Sequence, residues 1–182
     1  MYTGKKVRLR AYNQNDLQDV LRQVNDYASI RHSAVGLILP STPDDQSRWI
    51  ANQTSMTQGA YQFAIETLGG QYVGGCGFNR VDWKNRSAQL GILIGDAAMR
   101  GRGFGSDAVR VMCFIGFAEM NLNKIGLTVI DGNDTAVRCY EACGFLPEGR
   151  LRSEVWREDD YHDLVCMGLL HEEWRKDPGM YH

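Results

Sequence analysis

The sequence predicts a single α/β domain built on a mixed β-sheet, and three observations support this prediction. Several segments alternate apolar and polar residues, which is typical of half-buried strands. Others repeat apolar residues at intervals of three and four, as amphipathic helices do. From residue 86 onwards a strand, a glycine-rich turn, a helix and a further strand follow one another, which predicts a parallel crossover unit. The 182 residues suit one domain with one core.

The N-terminal part is predicted to hold one strand and two helices. Residues 6–11 alternate between charged and apolar side chains and are expected to form the strand. The first helix is expected to begin near Asp16 and the second at Pro43, because capping residues, proline and acidic residues favour the first turn of a helix. Trp49 and Ile50 are expected on the buried side of the second helix.

The rest of the chain is predicted to alternate strands and helices. A turn at Gly69 and Gly70 joins two of the strands, since glycine adopts the positive φ angles of tight hairpins. Asn133 and Gly144 are expected to cap and end the last helix. The predicted elements are strands at 61–66, 71–79 and 86–94, a helix at 104–121, a strand at 124–130, a helix at 133–143, and strands at 145–156 and 161–170.

Composition excludes several functional classes. The formal net charge is only −2, which argues against nucleic acid as a direct partner. The sequence has neither a signal-like apolar run at its start nor a segment long enough to span a membrane, so we expect a cytoplasmic protein without a membrane partner. The five cysteines are an odd number, which favours reduced thiols. Cys139 and Cys143 lack a second pair of ligands, so no metal site is expected.

The most informative segment is the glycine-rich turn at residues 100–106, Arg-Gly-Arg-Gly-Phe-Gly-Ser. It is predicted to precede a helix, whose first amides lack partners and attract anions. The pattern therefore indicates a site for a phosphate or pyrophosphate. The residues alone leave open a plain glycine-rich turn and a dinucleotide-binding turn, although the latter belongs in a first βαβ unit. A Walker A loop is excluded, because no Gly-Lys-Ser/Thr follows.

Two segments resemble the GNAT acetyltransferase superfamily. Arg100-x-x-Gly103-x-Gly105 is similar to its Q/R-x-x-G-x-G/A pyrophosphate loop, and residues 133–145 resemble its N-x-x-A-x-x-x-Y-E-x-x-G-F segment. The resemblance is closest to the ribosomal-protein N-terminal acetyltransferases and the spermidine acetyltransferases. It implies one GNAT domain over residues 1–175 with a tail at 176–182, about four helices, and a mostly antiparallel sheet with a splayed parallel pair.

The resemblance implies that the cosubstrate is acetyl-CoA and that an amine acceptor attacks it directly. The amides of the strand before the loop would hold the pantetheine arm, the loop would hold the pyrophosphate, and Tyr140 would protonate the leaving thiolate. Tyrosine suits this role because its usual pKa of about 10 keeps it protonated at neutral pH. The implied cofactor-binding residues are Ile92, Leu93, Ile94, Arg100, Gly101, Arg102, Gly103, Phe104, Gly105, Ser106, Asn133, Ala136 and Tyr140.

The general base is less clear from the sequence. Many relatives carry a glutamate where this chain has Gln89, whose amide does not accept a proton at neutral pH. Glu66 is our first candidate, and the alternatives are Asp82, His32, His162 or no base at all. An α-amine, with a pKa of about 7.7–8.0, needs less help than an amine near 10.4, so a protein N-terminus or another low-pKa amine is favoured as the acceptor.

Other functions and assemblies remain open at this point. A polyamine acceptor and a non-catalytic acyl-CoA sensor are the alternatives, and the resemblance also allows a homodimer. The acceptor pocket is expected between the first two helices, their loop and the C-terminal hairpin. The segments Arg31–Ser33 and Trp156–Tyr161 are the predicted contributors to this pocket.

Overall fold

One eight-stranded sheet organises the computed structural model, which describes residues 2–31, 33, 36–53 and 61–176. The strand order is β1-β2-β3-β4-β5-β6-β8-β7. The strands are β1 Tyr2–Thr3, β2 Val7–Arg10, β3 Tyr61–Thr67, β4 Tyr72–Asp82, β5 Ser87–Ile94, β6 Lys124–Ile130, β7 Leu146–Arg157 and β8 Asp160–Leu170. The helices are α1 Leu17–Asn25, α2 Tyr27–Ile30, α3 Pro43–Gln53, α4 Phe104–Phe114, α5 Asp134–Glu141 and α6 His171–Trp174.

All strand pairs are antiparallel except β5 and β6, which run parallel. A parallel pair needs a crossover, and α4 supplies it. The predicted mixed, mostly antiparallel sheet with one parallel pair is thereby confirmed. The hairpin of β7 and β8 closes with a two-residue turn at Glu158 and Asp159, both at positive φ, as a tight hairpin requires.

Helices cover both faces of the sheet, and each face has its own apolar cluster. The larger cluster lies under α4 and α5 and includes Phe78, Met112 and Phe145, all fully buried. The smaller cluster joins α1 and α3 to the opposite face through Val20 and Ile50. Within the described part of the chain, no helix is both long and apolar enough to cross a membrane.

Several elements differ from the prediction in detail. The helix predicted at 104–121 is α-helical only to Phe114 and continues as a π-helix over Ile115–Glu119. Gly116 lies in this segment, and a Cβ there would be 2.8 Å from Ile125 Cδ1, so the helix approaches the sheet closely. The short helix α2 was not predicted, because four residues are too few for a periodic signal.

The prediction that Trp49 is buried on α3 is wrong. Its side chain is 36% exposed, whereas Ile50 is buried as expected. Trp49 instead lies edge-on against Tyr12, with ring centroids 4.9 Å apart. Neighbouring positions on a helix point about 100° apart, so only one of this pair can face the sheet directly.

Candidate active site

The parallel strands β5 and β6 pair only at their beginnings. Their register covers Ser87–Gln89 against Lys124–Gly126 and ends there. Beyond Gln89, β5 continues to Ile94 beside β4 alone. The predicted cofactor-binding residues Ile92, Leu93 and Ile94 therefore lie in a stretch that β6 does not pair, and a gap opens in the sheet.

The glycine-rich turn lies at the end of this gap and leads into α4. Gly101 and Gly103 have φ angles of 70° and 84°, a left-handed conformation that favours glycine. Gly103 is the N-cap of α4, whose first-turn amides have no intrahelical acceptor. The turn therefore presents peptide dipoles at a helix start, which fits a pyrophosphate.

Arg100 uses its side chain to fasten the turn. Its guanidinium donates to the carbonyl oxygens of Ile94 at 2.9 Å and of Ser29 and Gly95 at 3.1 Å each. These contacts join the end of β5, the start of the turn and α2. Arg102 is exposed, and its guanidinium lies 5.3 Å from the ring centroid of Phe104. Both predicted cations are exposed, and the three carbonyl contacts show that Arg100 positions the backbone of the turn.

Three separate segments meet at Gly105. A Cβ on Gly105 would lie 3.7 Å from Ile94 Cγ1 and 3.9 Å from Cys139 Sγ. The hydroxyl of Ser106 lies 3.3 Å from the same sulfur. The end of β5, the start of α4 and the middle of α5 thus converge, which brings together predicted residues from all three motifs.

The start of α5 has the geometry that its motif predicts. Asn133 is the N-cap, and its side chain accepts a hydrogen bond from the backbone N–H of Ala136 at 3.2 Å. This bond satisfies one unpaired donor of the helix and fixes where α5 begins. Gly144, at a φ of 90°, follows the helix end as predicted.

Tyr140 lies near the C-terminal end of α5, next to Cys139. Its side chain is 9% exposed, and its ring packs at a tilt against Phe145 with centroids 6.0 Å apart. Burial raises the pKa of the Tyr140 hydroxyl above its usual value, because the phenolate would lose its hydration. The group therefore stays protonated at neutral pH, as a proton donor must.

Cys139 and Cys143 lie four residues apart, at a spacing that puts both sulfurs on one side of α5. The neighbouring Cys143 and the Ser106 hydroxyl lower the pKa of Cys139 below its usual value by hydrogen bonding. Cys143 is buried and contacts the carbonyl of Ser106 at 3.4 Å. Among the described residues, no group of three or more metal-ligating side chains is present.

The structure does not bring Glu66, our first candidate base, to the gap. Glu66 is on β3, with β4 and β5 between it and β6. Its carboxylate accepts hydrogen bonds from Arg10 at 2.5 Å and from Arg8 at 3.4 Å. Two guanidinium groups occupy the oxygens that a base would need, so these contacts favour a structural role for Glu66.

The other candidate bases lie on β4 and β8 or outside the described residues. Asp82 is the last residue of β4, where bonds from the backbone and side chain of Asn85 lower its pKa. His162 lies on β8 opposite Val155. His32 lies outside the described residues. Gln89 stands at the inner end of the gap, and a Cβ on Gly126 would lie 2.9 Å from its Nε2 atom.

The segments predicted to form the acceptor pocket contact each other. Arg31, after α2, pairs with Glu158 in the turn of the β7–β8 hairpin at 2.5 Å. Arg157 donates to the carbonyl of Gly36 at 3.3 Å. Trp156 and Tyr161 form an edge-on aromatic pair at 4.8 Å that is more than half exposed. The loop after α2 and the β7–β8 hairpin are thus in contact with each other.

Comparison with known proteins identifies the family. The model of the acetyltransferase (GNAT) domain matches residues 6–146. The chain belongs to the GNAT acetyltransferase family. This membership makes the protein an N-acetyltransferase and decides against the dinucleotide interpretation of the glycine turn.

Two groups of GNAT relatives agree with the predicted branch. A putative ribosomal N-acetyltransferase, YdaF of Bacillus subtilis, is 31% identical over 105 residues, covering 58% of this chain and 57% of its own. A spermidine N(1)-acetyltransferase of Vibrio cholerae is 26% identical over 171 residues, covering 94% and 96%. The crystal structure of a Vibrio cholerae spermidine N-acetyltransferase with CoA and spermine has a TM-score of 0.84 at 24% identity, covering 93% of this chain and 98% of that one.

Sequence reasoning missed two residues beside the GNAT loop. Lys6 donates from Nζ to the carbonyl oxygen of Arg102 at 2.8 Å. Asp107, buried in the first turn of α4, accepts hydrogen bonds from the backbone amides of Lys5, Lys6 and Val7. An acidic residue in a first helical turn is a common feature, so nothing in the sequence pointed to a partner some hundred residues away.

Proposed function

We propose that this GNAT protein binds acetyl-CoA in the gap between β5 and β6 and acetylates an amine that enters from the α2 loop and the β7–β8 hairpin. The observation that carries the proposal is the end of strand pairing at Gln89 and Gly126, which leaves the rest of β5 unpaired on the β6 side before the chain reaches the glycine turn. Unpaired β5 backbone can bind an extended polar arm, and the amides that start α4 can bind a pyrophosphate.

The residues present fit this cosubstrate. Gly101 and Gly103 adopt left-handed backbone conformations. A Cβ on Gly105 would be in van der Waals contact with Ile94 on β5 and Cys139 on α5, so the turn packs closely against both elements. Arg102 contributes an accessible positive charge for the phosphates. The turn is held in place by Arg100, so little ordering is needed on binding.

The proposed reaction forms a C–N bond and breaks the thioester C–S bond. Fixed N–H donors on β5 stabilise the negative charge that grows on the carbonyl oxygen. The amine loses a proton to solvent, since Gln89 does not accept one. Tyr140, which its raised pKa keeps protonated at neutral pH, donates its hydroxyl proton to the departing sulfur, and the phenolate then regains a proton from solvent.

We propose an α-amine at a protein or peptide N-terminus as the acceptor. Without a carboxylate at position 89, the enzyme depends on an amine that is already partly neutral near pH 7, which fits an α-amine with a pKa of about 7.7–8.0. The exposed pair of Trp156 and Tyr161 supports a peptide, because aromatic rings offer contact area to neighbouring side chains.

A polyamine is the second candidate acceptor. The similarity to spermidine N-acetyltransferases favours it, and so do the three consecutive acidic residues Glu158, Asp159 and Asp160 at the hairpin turn. Glu158, however, is already paired with Arg31, which reduces the negative charge available for a polycation.

The acceptor is tested by incubating the protein with acetyl-CoA and three amines: a peptide with a free N-terminus, the same peptide with a blocked N-terminus and an internal lysine, and spermidine. Thiol release and mass spectrometry measure transfer. We expect the free N-terminus to be acetylated fastest. Preference for spermidine would overturn the peptide proposal, and cosubstrate binding without transfer to any amine would indicate an acyl-CoA sensor.

The cosubstrate site is tested by Gly103→Ala, which places a side chain at a φ of 84° in the turn. Gly70→Ala is the matched control, because Gly70 has a φ of 89° in the hairpin turn between β3 and β4, in open space. Calorimetry should show weaker CoA binding for Gly103→Ala only. Equal binding by both variants would contradict the site.

A further inference from the structure

The ammonium group of Lys6 lies against the glycine turn, although Lys6 is 96 residues away in sequence. Its Nζ atom donates to the carbonyl oxygen of Arg102 at 2.8 Å. A Cβ on Gly103 would be 2.8 Å from Nζ and 3.6 Å from both Cδ and Cε of Lys6. The lysine side chain therefore lies along the peptide that joins Arg102 to Gly103.

A trans peptide is planar, so its C=O and N–H bonds point in opposite directions. By holding the carbonyl of Arg102, Lys6 turns the N–H of Gly103 to the opposite side of the turn. Glycine at a positive φ is conformationally permissive, and this peptide could otherwise rotate between several orientations. A rotated peptide would present a carbonyl oxygen, which repels a phosphate.

The position of Lys6 is itself fixed by Asp107. Oδ2 of Asp107 accepts the backbone N–H of Lys6 at 2.7 Å and that of Val7 at 2.9 Å, and Oδ1 accepts that of Lys5 at 3.1 Å. Asp107 is 7% exposed and lies in the first turn of α4, the helix that the glycine turn precedes. The segment before β2 and the start of α4 are thus joined at two points on either side of Gly103.

Gly4 shows how closely this contact is packed. A Cβ at Gly4 would lie 2.4 Å from Oδ2 of Asp107, so the chain passes the carboxylate at a distance that a larger residue would not allow. Gly4 also donates to the carbonyl of Val7 at 2.8 Å, which closes a turn over residues 4–7. This turn directs three successive amides at one carboxylate.

We infer that Lys6 is a positioning residue for the acyl-CoA pyrophosphate: it holds the Arg102–Gly103 peptide so that the Gly103 N–H faces the phosphate. The inference rests on the proposed cosubstrate site. Lys6 acts from the far side of the turn, through the peptide.

The test compares Lys6→Met, Lys6→Arg and Lys5→Met with the unmodified protein. Lys6→Met keeps a long side chain and removes the donor, whereas Lys6→Arg restores a charged donor. Lys5→Met is the matched control, since Lys5 is also exposed and contacts Asp107 through its backbone N–H. The readouts are the dissociation constant of CoA by calorimetry, KM and kcat for acetyl-CoA, and the thermal midpoint without ligand.

We expect Lys6→Met to raise the CoA dissociation constant and KM by about tenfold, which is typical of losing one charge-assisted hydrogen bond, with kcat within about twofold. Lys6→Arg should recover most of the affinity, and Lys5→Met should change little. Unchanged affinity in Lys6→Met, or an equal loss in Lys5→Met, would overturn the inference. Failure of the unmodified protein to bind CoA would instead refute the proposed cosubstrate site.

Discussion

Gln89 on β5 and Gly126 on β6 are the last paired residues of the two parallel strands, and the amide of Gln89 lies over the bare Cα of Gly126. A larger residue at position 126 would collide with this amide, so the glycine allows Gln89 to occupy the inner end of the gap. Gln89 is polar but does not accept a proton, so we expect the rate of acetyl transfer to follow the protonation state of the acceptor amine.

We predict that kcat/KM for an α-amine acceptor rises about tenfold per pH unit below the amine's own pKa, because only the neutral amine attacks. Gln89→Glu should flatten this rise by supplying a carboxylate at the gap. Gln71→Glu, at an exposed turn, controls for the added charge. A flat profile from pH 6 to 8 in the unmodified protein would mean that a base is present elsewhere.

The buried carboxylate of Asp107 predicts a loss of stability on Asp107→Asn. The carboxylate accepts three amide bonds, and an asparagine NH₂ group would face at least one of those donors. The expected cost is about 1–3 kcal/mol in the free energy of unfolding, measured with urea. Asp134→Asn, in the exposed first turn of α5, is the control and should cost less than about 1 kcal/mol. Equal losses would argue against a special role for the Asp107 contacts.

Replacing the buried Gln23 should raise stability, in contrast to the loss expected for Asp107→Asn. Within the described chain both amide atoms of Gln23 are buried and have no hydrogen-bond partner, and its Cδ lies 2.0 Å from where a Cβ on Gly95 would be. Because an unpaired buried amide costs free energy, Gln23→Met should raise the free energy of unfolding by about 1 kcal/mol. Gln18→Met, on the same helix but exposed, is the control. A lower thermal midpoint for Gln23→Met would contradict this account.

Cys139 should be the most reactive cysteine. Its pKa is lowered by the Cys143 thiol and the Ser106 hydroxyl, so it carries more thiolate at neutral pH than Cys76 and Cys113, whose pKa values burial raises. Iodoacetamide labelling followed by mass spectrometry should modify Cys139 first. Saturating CoA should slow the labelling, because Cys139 lies beside Gly105 and Ser106. If CoA does not change the labelling rate of Cys139, the cosubstrate binds elsewhere.

Much of the fold follows from local sequence patterns. The β6 strand matches its predicted bounds, and α5 begins after its predicted cap, because alternation and capping are encoded within a few residues. The π-helical end of α4 and the exposure of Trp49 were missed, since both depend on which side chains meet across the sheet. The spacing of apolar residues shows which face of a helix is apolar, but it does not show which other elements pack against that face.

The candidate site also contains some residues that local motifs predict and others that only long-range contacts bring together. The glycine turn and the segment from Asn133 to Tyr140 are local motifs, and the structure brings them together at Gly105 and Cys139. Lys6 and Asp107 carry no local signal, because their contacts join residues that are far apart in sequence. Glu66 shows the converse, since an acidic residue on a strand is bound by two arginines that sequence spacing does not reveal.

Substitution of Tyr140 tests whether its hydroxyl protonates the leaving thiolate. Tyr140→Phe removes only the hydroxyl, and Tyr72→Phe is the control, because Tyr72 is a partly buried tyrosine away from the gap, packed beside Tyr12 on the α1 and α3 face. We measure kcat for acetyl transfer and the dissociation constant of CoA for both variants. We expect Tyr140→Phe to lower kcat about a hundredfold or more, with CoA affinity nearly unchanged. An unchanged kcat would show that the leaving thiolate takes its proton from another group.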